Sequence, residues 1–247
     1  WFVGLHSRHE ETAPSVRKLS DSPMIATTSP EKPRKHTAPQ AAFDEATDTR
    51  VVVDVFYHTY AGPTEEHQIV SRRVVQQQLE YLGQASQQNR GFKFILHYTS
   101  VGNATVLSPD WVQSLCREYS NNTLSCLHLG HMDQGHEEST LQQLHSHCRS
   151  VDDNAKKKQE HLVVYIHSKG AFLHKEAPAI QALNEKWMPP LTLAPITPAC
   201  LASLLPKTAG QHHSTPVCNV CGLQFYPMWS LFYPGNMFSA HCSHVSQ

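Results

Sequence analysis

The sequence predicts an α/β protein with a mainly parallel sheet flanked by helices, and three observations carry that expectation. From residue 50 onward, short apolar runs alternate with stretches of helical periodicity. Strands separated by helix-length connections need crossover units and therefore pair in parallel. The apolar run at 162–166 ends abruptly in His167-Ser168-Lys169-Gly170. That is the pattern of a buried strand delivering polar groups at its carboxyl edge, where open α/β sheets collect ligands. The 247 residues are enough for one large domain with a sizeable core.

The elements follow in order. Residues 1–48 are rich in proline, serine and threonine, carry balanced charge and show little apolar periodicity. Too little surface can be buried there to offset ordering entropy, so a disordered stalk is expected, with the folded domain at 49–247. Val51-Val-Val-Asp-Val-Phe-Tyr57 reads as a strand. Pro63-Thr64-Glu65-Glu66 opens a helix, with carboxylates where the helix dipole favours them. Ile69, Val70, Val74, Val75, Leu79 and Leu82 give that helix its apolar stripe, and Gly83 is its expected stop. Residues 92–98 form a second strand, and Ser108-Pro109-Asp110 starts a short helix through Trp111, Leu115 and Tyr119. Residues 124–129 form a third strand, followed by a helix with Leu141, Leu144 and Cys148 on one face. The fourth strand spans 162–167. Prolines near the first turn mark short helices at 178–187 and 198–205, and 236–242 form one more strand. The chain begins Trp1-Phe-Val-Gly-Leu5 without methionine and stops at Gln247 with no helical pattern. A fragment or processed form is therefore expected.

Composition excludes little but directs attention. A formal net charge of −1 offers no electrostatic reason to propose nucleic acid as a partner. The 18 histidines are many, and surface composition is their default explanation. No run of 18 apolar residues is present to span a bilayer. The sequence lacks G-x-G-x-x-G after its first strand, G-x-x-x-x-G-K-[ST], G-x-S-x-G and H-E-x-x-H. That removes the main signals for a dinucleotide oxidoreductase, a P-loop NTPase, an α/β-hydrolase and a zincin.

What remains is chemistry at strand ends. Lys169 and His167, with Ser168 and Gly170, suit a diphosphate: cations neutralise it and a glycine lets backbone approach closely. Asp54 lies inside the first strand on the face of Val52 and Phe56, so it needs a partner if buried. Close to a nucleotide it would hold base or ribose; otherwise its role is a structural hydrogen bond. Gly235-Asn236-Met237-Phe238 offers a tight turn, a donor and acceptor, and apolar groups able to stack on a sugar. A turn feeding a core strand is the alternative. Trp187 and Trp229 are sugar-stacking candidates, with core packing the default for both. Cys218-x-x-Cys221 is readable as a zinc site with His241, Cys242 and His244 downstream, as a redox pair, or as part of disulfides with Cys116, Cys126, Cys148, Cys200 or Cys242. Asn103-Ala-Thr105 and Asn121-Asn-Thr123 are sequons for glycosylation.

Tyr165-Ile-His-Ser-Lys-Gly170, Cys218-Asn-Val-Cys221 and Gly235-Asn-Met-Phe238 with Cys242 resemble, in order and spacing, motifs of algal glycosyltransferase-like proteins. Gly135-His-Glu-Glu-Ser-Thr-Leu141 is similar to the helix entry before the strand in that group. A more distant likeness is to bacterial rhamnan-synthesis and related polysaccharide glycosyltransferases. The resemblance runs over residues 50–245 and implies a GT-A-like fold, a nucleotide-sugar donor and a glycan or glycoprotein acceptor. It implies donor contacts at His167, Lys169 and Gly170 and sugar contacts at Gly235, Asn236, Met237 and Phe238. If the transfer inverts configuration it needs a base, and Glu137 and Glu138 are the candidates, with Asp54 behind them. Many GT-A enzymes hold a divalent cation through Asp-x-Asp, which this chain lacks, so no cofactor is assigned and a divalent cation is the one candidate. A stalk behind a missing N-terminal anchor would suit the Golgi lumen or another secretory compartment. The second expectation is a catalytically inactive carbohydrate-binding or scaffold domain of the same fold, and the third a zinc-stabilised interaction module at 212–244.

Overall fold

A computed structural model describes residues 51–153, 160–168, 171, 178–205, 218–223 and 236–247. The expected stalk lies outside the described residues, as do Lys169, Gly170, Trp229 and Gly235. The described strands form a six-stranded sheet in the order β3-β2-β1-β4-β6-β5. Strands β1 (Val51–Ala61), β2 (Phe92–Gly102), β3 (Leu124–Met132) and β4 (His161–His167) run parallel. β6 (Phe238–His241) is antiparallel to β4, and β5 (Val220–Gly222) is antiparallel to β6. The α/β class with a mainly parallel sheet is thus observed.

The helices explain the strand directions. α1 (Glu65–Gln88) is capped by Thr64, whose side chain accepts the His67 N–H. It does not stop at Gly83. A β-carbon at that position would lie 2.6 Å from the Tyr119 carbonyl oxygen, so the glycine serves the close approach of α1 to α2 (Pro109–Ser120). α2 begins with Ser108 as cap and Pro109 in its first turn, and ends at Asn121 in the left-handed conformation. α3 (Glu138–Asp153) crosses from β3 to β4. α4 (Pro178–Leu193) runs past the expected end at Trp187 and through Pro189 and Pro190. α5 (Pro198–Ser203) is capped by Thr197, and a short α6 (Cys242–Val245) occupies a stretch where no helix was expected. No helix among the described residues is long and apolar enough to cross a membrane.

Alternation along the strands sends side chains to two cores. Val53, Val55 and Tyr57 of β1, with Leu162, Val164 and Ile166 of β4, pack against Val75, Leu79 and Leu82 of α1 and Leu115 of α2. The opposite parity puts Phe56, Val163 and Tyr165 against Leu144 and Cys148 of α3. Burial on both faces is why these strands read as nearly continuous apolar runs. Asp54, His58, His97, His161 and His167 have the parity that faces α3. The chain winds from β1 through β2 to β3 and returns to β4 on the other side of β1. The gap between β1 and β4 is therefore the topological switch point, where ligands of such sheets bind.

Disulfides join Cys116 to Cys126, Cys148 to Cys242 and Cys200 to Cys221. The last anchors the three-residue β5, which too short an apolar run hid in the sequence.

Candidate functional site

Two polar clusters occupy the α3 face of the sheet. The first lies at the carboxyl ends of β1 and β4. Thr140, in the first turn of α3, is buried and its hydroxyl meets both His58 Nδ1, at 3.0 Å, and the Thr99 hydroxyl. These contacts seat the start of α3 over the ends of β1 and β2. Glu137, just before that helix, accepts a hydrogen bond from the Tyr165 hydroxyl at 3.1 Å, and its other oxygen lies 3.4 Å from His167 Nδ1. Ser168 extends the β1–β4 pairing: its N–H donates to the His58 carbonyl and its hydroxyl accepts from the Tyr60 N–H, both at 2.9 Å. From the other face, Gln78 donates to the His167 carbonyl at 3.0 Å and to the Thr192 hydroxyl, while Tyr57 donates to Gln78. The strand end is thus held from both sides, at the point where the chain enters Lys169.

Electrostatics at this edge follow from burial. Desolvation lowers the pKa of His58, with nearby Glu137 partly opposing it, so the imidazole is held neutral. Burial first, and Glu137 second, raise the Tyr165 phenol far above its usual range, so it stays a hydrogen-bond donor. Glu137 keeps about a third of its side chain exposed.

The second cluster lies deeper, beneath the middle of α3. Asp54 is buried on β1. Its Oδ1 accepts from His97 Nε2 at 2.8 Å, and its Oδ2 from His147 Nε2 at 3.0 Å and His161 Nδ1 at 3.2 Å. The Phe56 ring stacks on His97 at 4.8 Å and lies 5.4 Å from His147, shielding the group. Burial alone would raise the Asp54 pKa, but the three histidine bonds outweigh it and hold the carboxyl well below the usual carboxylate range. Asp54, His147 and His161 present one ligand atom each within 4.8 Å of one another, the spacing of a metal-binding triad. A cavity of about 610 Å³ opens beside His97 and His147, lined also by Phe56, Leu129 and Gln143.

The expected site residues distribute unevenly. Glu137, His167 and Ser168 come together at the strand ends, joined by His58 and Tyr165, which had not been singled out. Glu138 is exposed on the first turn of α3. Lys169, Gly170 and Gly235 lie outside the described residues. Asp54 does not face the crevice: both its oxygens are engaged by histidines four residues below the strand-end cluster. Those contacts match the structural hydrogen-bond alternative to a nucleotide role. Of the sugar-facing run, Asn236 is exposed with φ 56°, Met237 is buried in the α1-side core, and Phe238 lies on the opposite face 5.9 Å from Tyr165. Strand alternation prevents Met237 and Phe238 from stacking on one sugar, so the core-strand alternative describes Met237.

The zinc set is overturned. Cys221 is bonded to Cys200 and Cys242 to Cys148, while His241 is held by Glu160 at 2.6 Å and Ser243 at 2.7 Å. Cys218 is a free, exposed thiol. Trp187 is 37 % exposed on α4 and so is not a core residue. Asn121 is exposed at the end of α2; Asn103 accepts bonds from the Thr105 N–H and hydroxyl of its own sequon.

The deep cluster escaped sequence reasoning because its members sit at 54, 97, 147 and 161 on four elements. The one available signal was an aspartate in a buried strand that needed partners. No curated protein and no solved structure matches the chain. A family model described as Domain of unknown function (DUF8361) matches residues 56–247. That match covers more than half of the chain, which therefore belongs to this family of domains of unknown function.

Proposed function

We propose that this chain is a GT-A-like glycosyltransferase that binds a nucleotide-sugar across the carboxyl ends of β1 and β4 and transfers the sugar to a glycan or glycoprotein. The observation that carries the reading is the convergence of Glu137, Tyr165, His58 and His167 at the switch point of the sheet, where the chain runs directly into Lys169 and Gly170. In this reading Lys169 and His167 stabilise the diphosphate leaving group. Glu137 is the base that takes the acceptor hydroxyl proton. Its partner Tyr165 remains protonated and holds the carboxylate in place, while His58 keeps the start of α3 seated through Thr140. Three disulfides favour an oxidising compartment, in keeping with the secretory lumen and with glycan or glycoprotein acceptors.

A second reading, carbohydrate binding without turnover, is favoured by the burial of Met237, which leaves Asn236 as the exposed member described in the expected sugar-facing run. Donor turnover separates the two. A panel of nucleotide-sugars incubated with the full chain should yield released sugar or transfer product. Lys169→Ala and His167→Ala should weaken donor binding about tenfold, and Glu137→Gln should remove turnover while leaving donor affinity within about threefold. Sugar binding with no turnover, unchanged by all three substitutions, supports the scaffold reading instead.

A further inference from the structure

The geometry points to a second site: we propose that Asp54, His147 and His161 bind a divalent transition-metal ion, with His97 orienting the aspartate. Three elements, β1, α3 and β4, deliver the donors. Asp54 Oδ2 already lies 3.0 Å from His147 Nε2 and 3.2 Å from His161 Nδ1. Ligand atoms about 2.0–2.1 Å from a tetrahedral ion lie about 3.3 Å from one another. Small side-chain rotations therefore place these three donors around one ion.

Charge and hydrogen bonding favour the ion over the bare cluster. Asp54 is a buried carboxylate on β1 whose negative charge needs compensation. A divalent cation compensates it, bonding the unprotonated nitrogens of His147 and His161 and the Oδ2 of Asp54. His97 is placed for the supporting role. It donates to Oδ1, the oxygen the ion does not need, and its ring is fixed by stacking on Phe56. Outer hydrogen bonds of this kind orient metal-bound carboxylates.

The donor set selects the class of metal. Two imidazoles and one carboxylate suit zinc, cobalt, nickel or iron(II), whereas magnesium and calcium prefer oxygen donors throughout. Three protein donors leave a coordination position open, and the cavity beside His97 and His147 lets water reach it. Asp54 and His58 are four residues apart on β1, about 13 Å at the usual rise of a strand. An ion on Asp54 is too distant to touch a diphosphate at His167, so this site is independent of the nucleotide-sugar reading.

The test uses the full chain stripped with a chelator and titrated with cobalt(II) alone. Visible absorption should rise to saturation at one ion per chain, and zinc should abolish it by displacement. His147→Gln and His161→Gln should each remove the saturable signal, and His97→Gln should lower cobalt affinity about 10–100-fold. Zinc should raise the melting temperature of the parent chain and not that of His147→Gln. That comparison holds even if His161→Gln fails to fold, because the His147 side chain is a quarter exposed. Absence of a saturable signal, or a signal unchanged in His147→Gln, overturns the proposal and assigns any binding to histidines elsewhere.

Discussion

The two polar clusters share a sheet face, a helix and a residue vocabulary, yet they do opposite things with a carboxylate. Asp54 is buried under the middle of α3 and is enclosed by three imidazoles. Glu137 sits at the entry to the same helix, meets one phenol and one imidazole, and stays partly exposed. Position along the strand decides the difference. Where α3 lies over the strands, a carboxylate must be fully compensated; where the strands end, it can face a ligand. The same helix thus covers one site and opens the other.

The largest expected effect comes from loosening the covered end. Cys148, beside His147, bonds to Cys242 across a separation of 94 residues and so fastens α3 to α6. Removing that disulfide with paired serine substitutions should cost about 4–5 kcal/mol in urea unfolding. Removing Cys116–Cys126, which closes a separation of 10, should cost about 3 kcal/mol or less. Equal losses would mean that native-state strain, not chain entropy, sets the values.

Asp54→Ala leaves three half-buried histidines without their acceptor and should destabilise by about 1–3 kcal/mol. Glu137→Ala at the open edge should cost about 1 kcal/mol or less, because water replaces its bonds. If both cost the same, the covered-versus-open distinction fails. Gly83→Ala tests the scaffold beneath both clusters: forcing α1 off Tyr119 should cost about 1–3 kcal/mol, although alanine is the better helix former.

The smallest effect is a pH dependence. Burial holds the His58 pKa below its ordinary 6.5, so the unfolded chain takes up this proton first as pH falls. His58 therefore contributes full stability above about pH 6.5 and loses it as the pH drops through the lower folded value. In His58→Gln, the fall in stability between pH 6.5 and 5 should be shallower than in the parent chain. An unchanged slope would place the acid sensitivity on other groups.

Much of the scaffold was legible because two-sided burial writes β1, β2 and β4 as apolar runs and α1, α2 and α3 as striped helices. Their order implied parallel pairing, and the polar end of β4 marked the crevice. Where reading stopped, a long-range contact was the deciding term. Gly83 resembles a helix stop until Tyr119 of α2 lies against it. Met237 resembles a sugar contact until the pairing of β6 with β4 places it beside the α1 core. The Cys218–Cys221 spacing suggested a ligand pair until Cys200 and Cys148 claimed Cys221 and Cys242. Asp54 was recognised as needing partners, but no local pattern links it to histidines as far off as 43 and 107 residues.

The most direct measurement is a histidine-ring NMR titration of the full chain, first with a nucleotide diphosphate and then with zinc. The nucleotide should perturb His58 and His167 and leave His97, His147 and His161 in place, while zinc should perturb only the latter three. A nucleotide that perturbs the Asp54 cluster, or that leaves His58 and His167 unchanged, would contradict the proposed division of this sheet face into a ligand edge and a metal site.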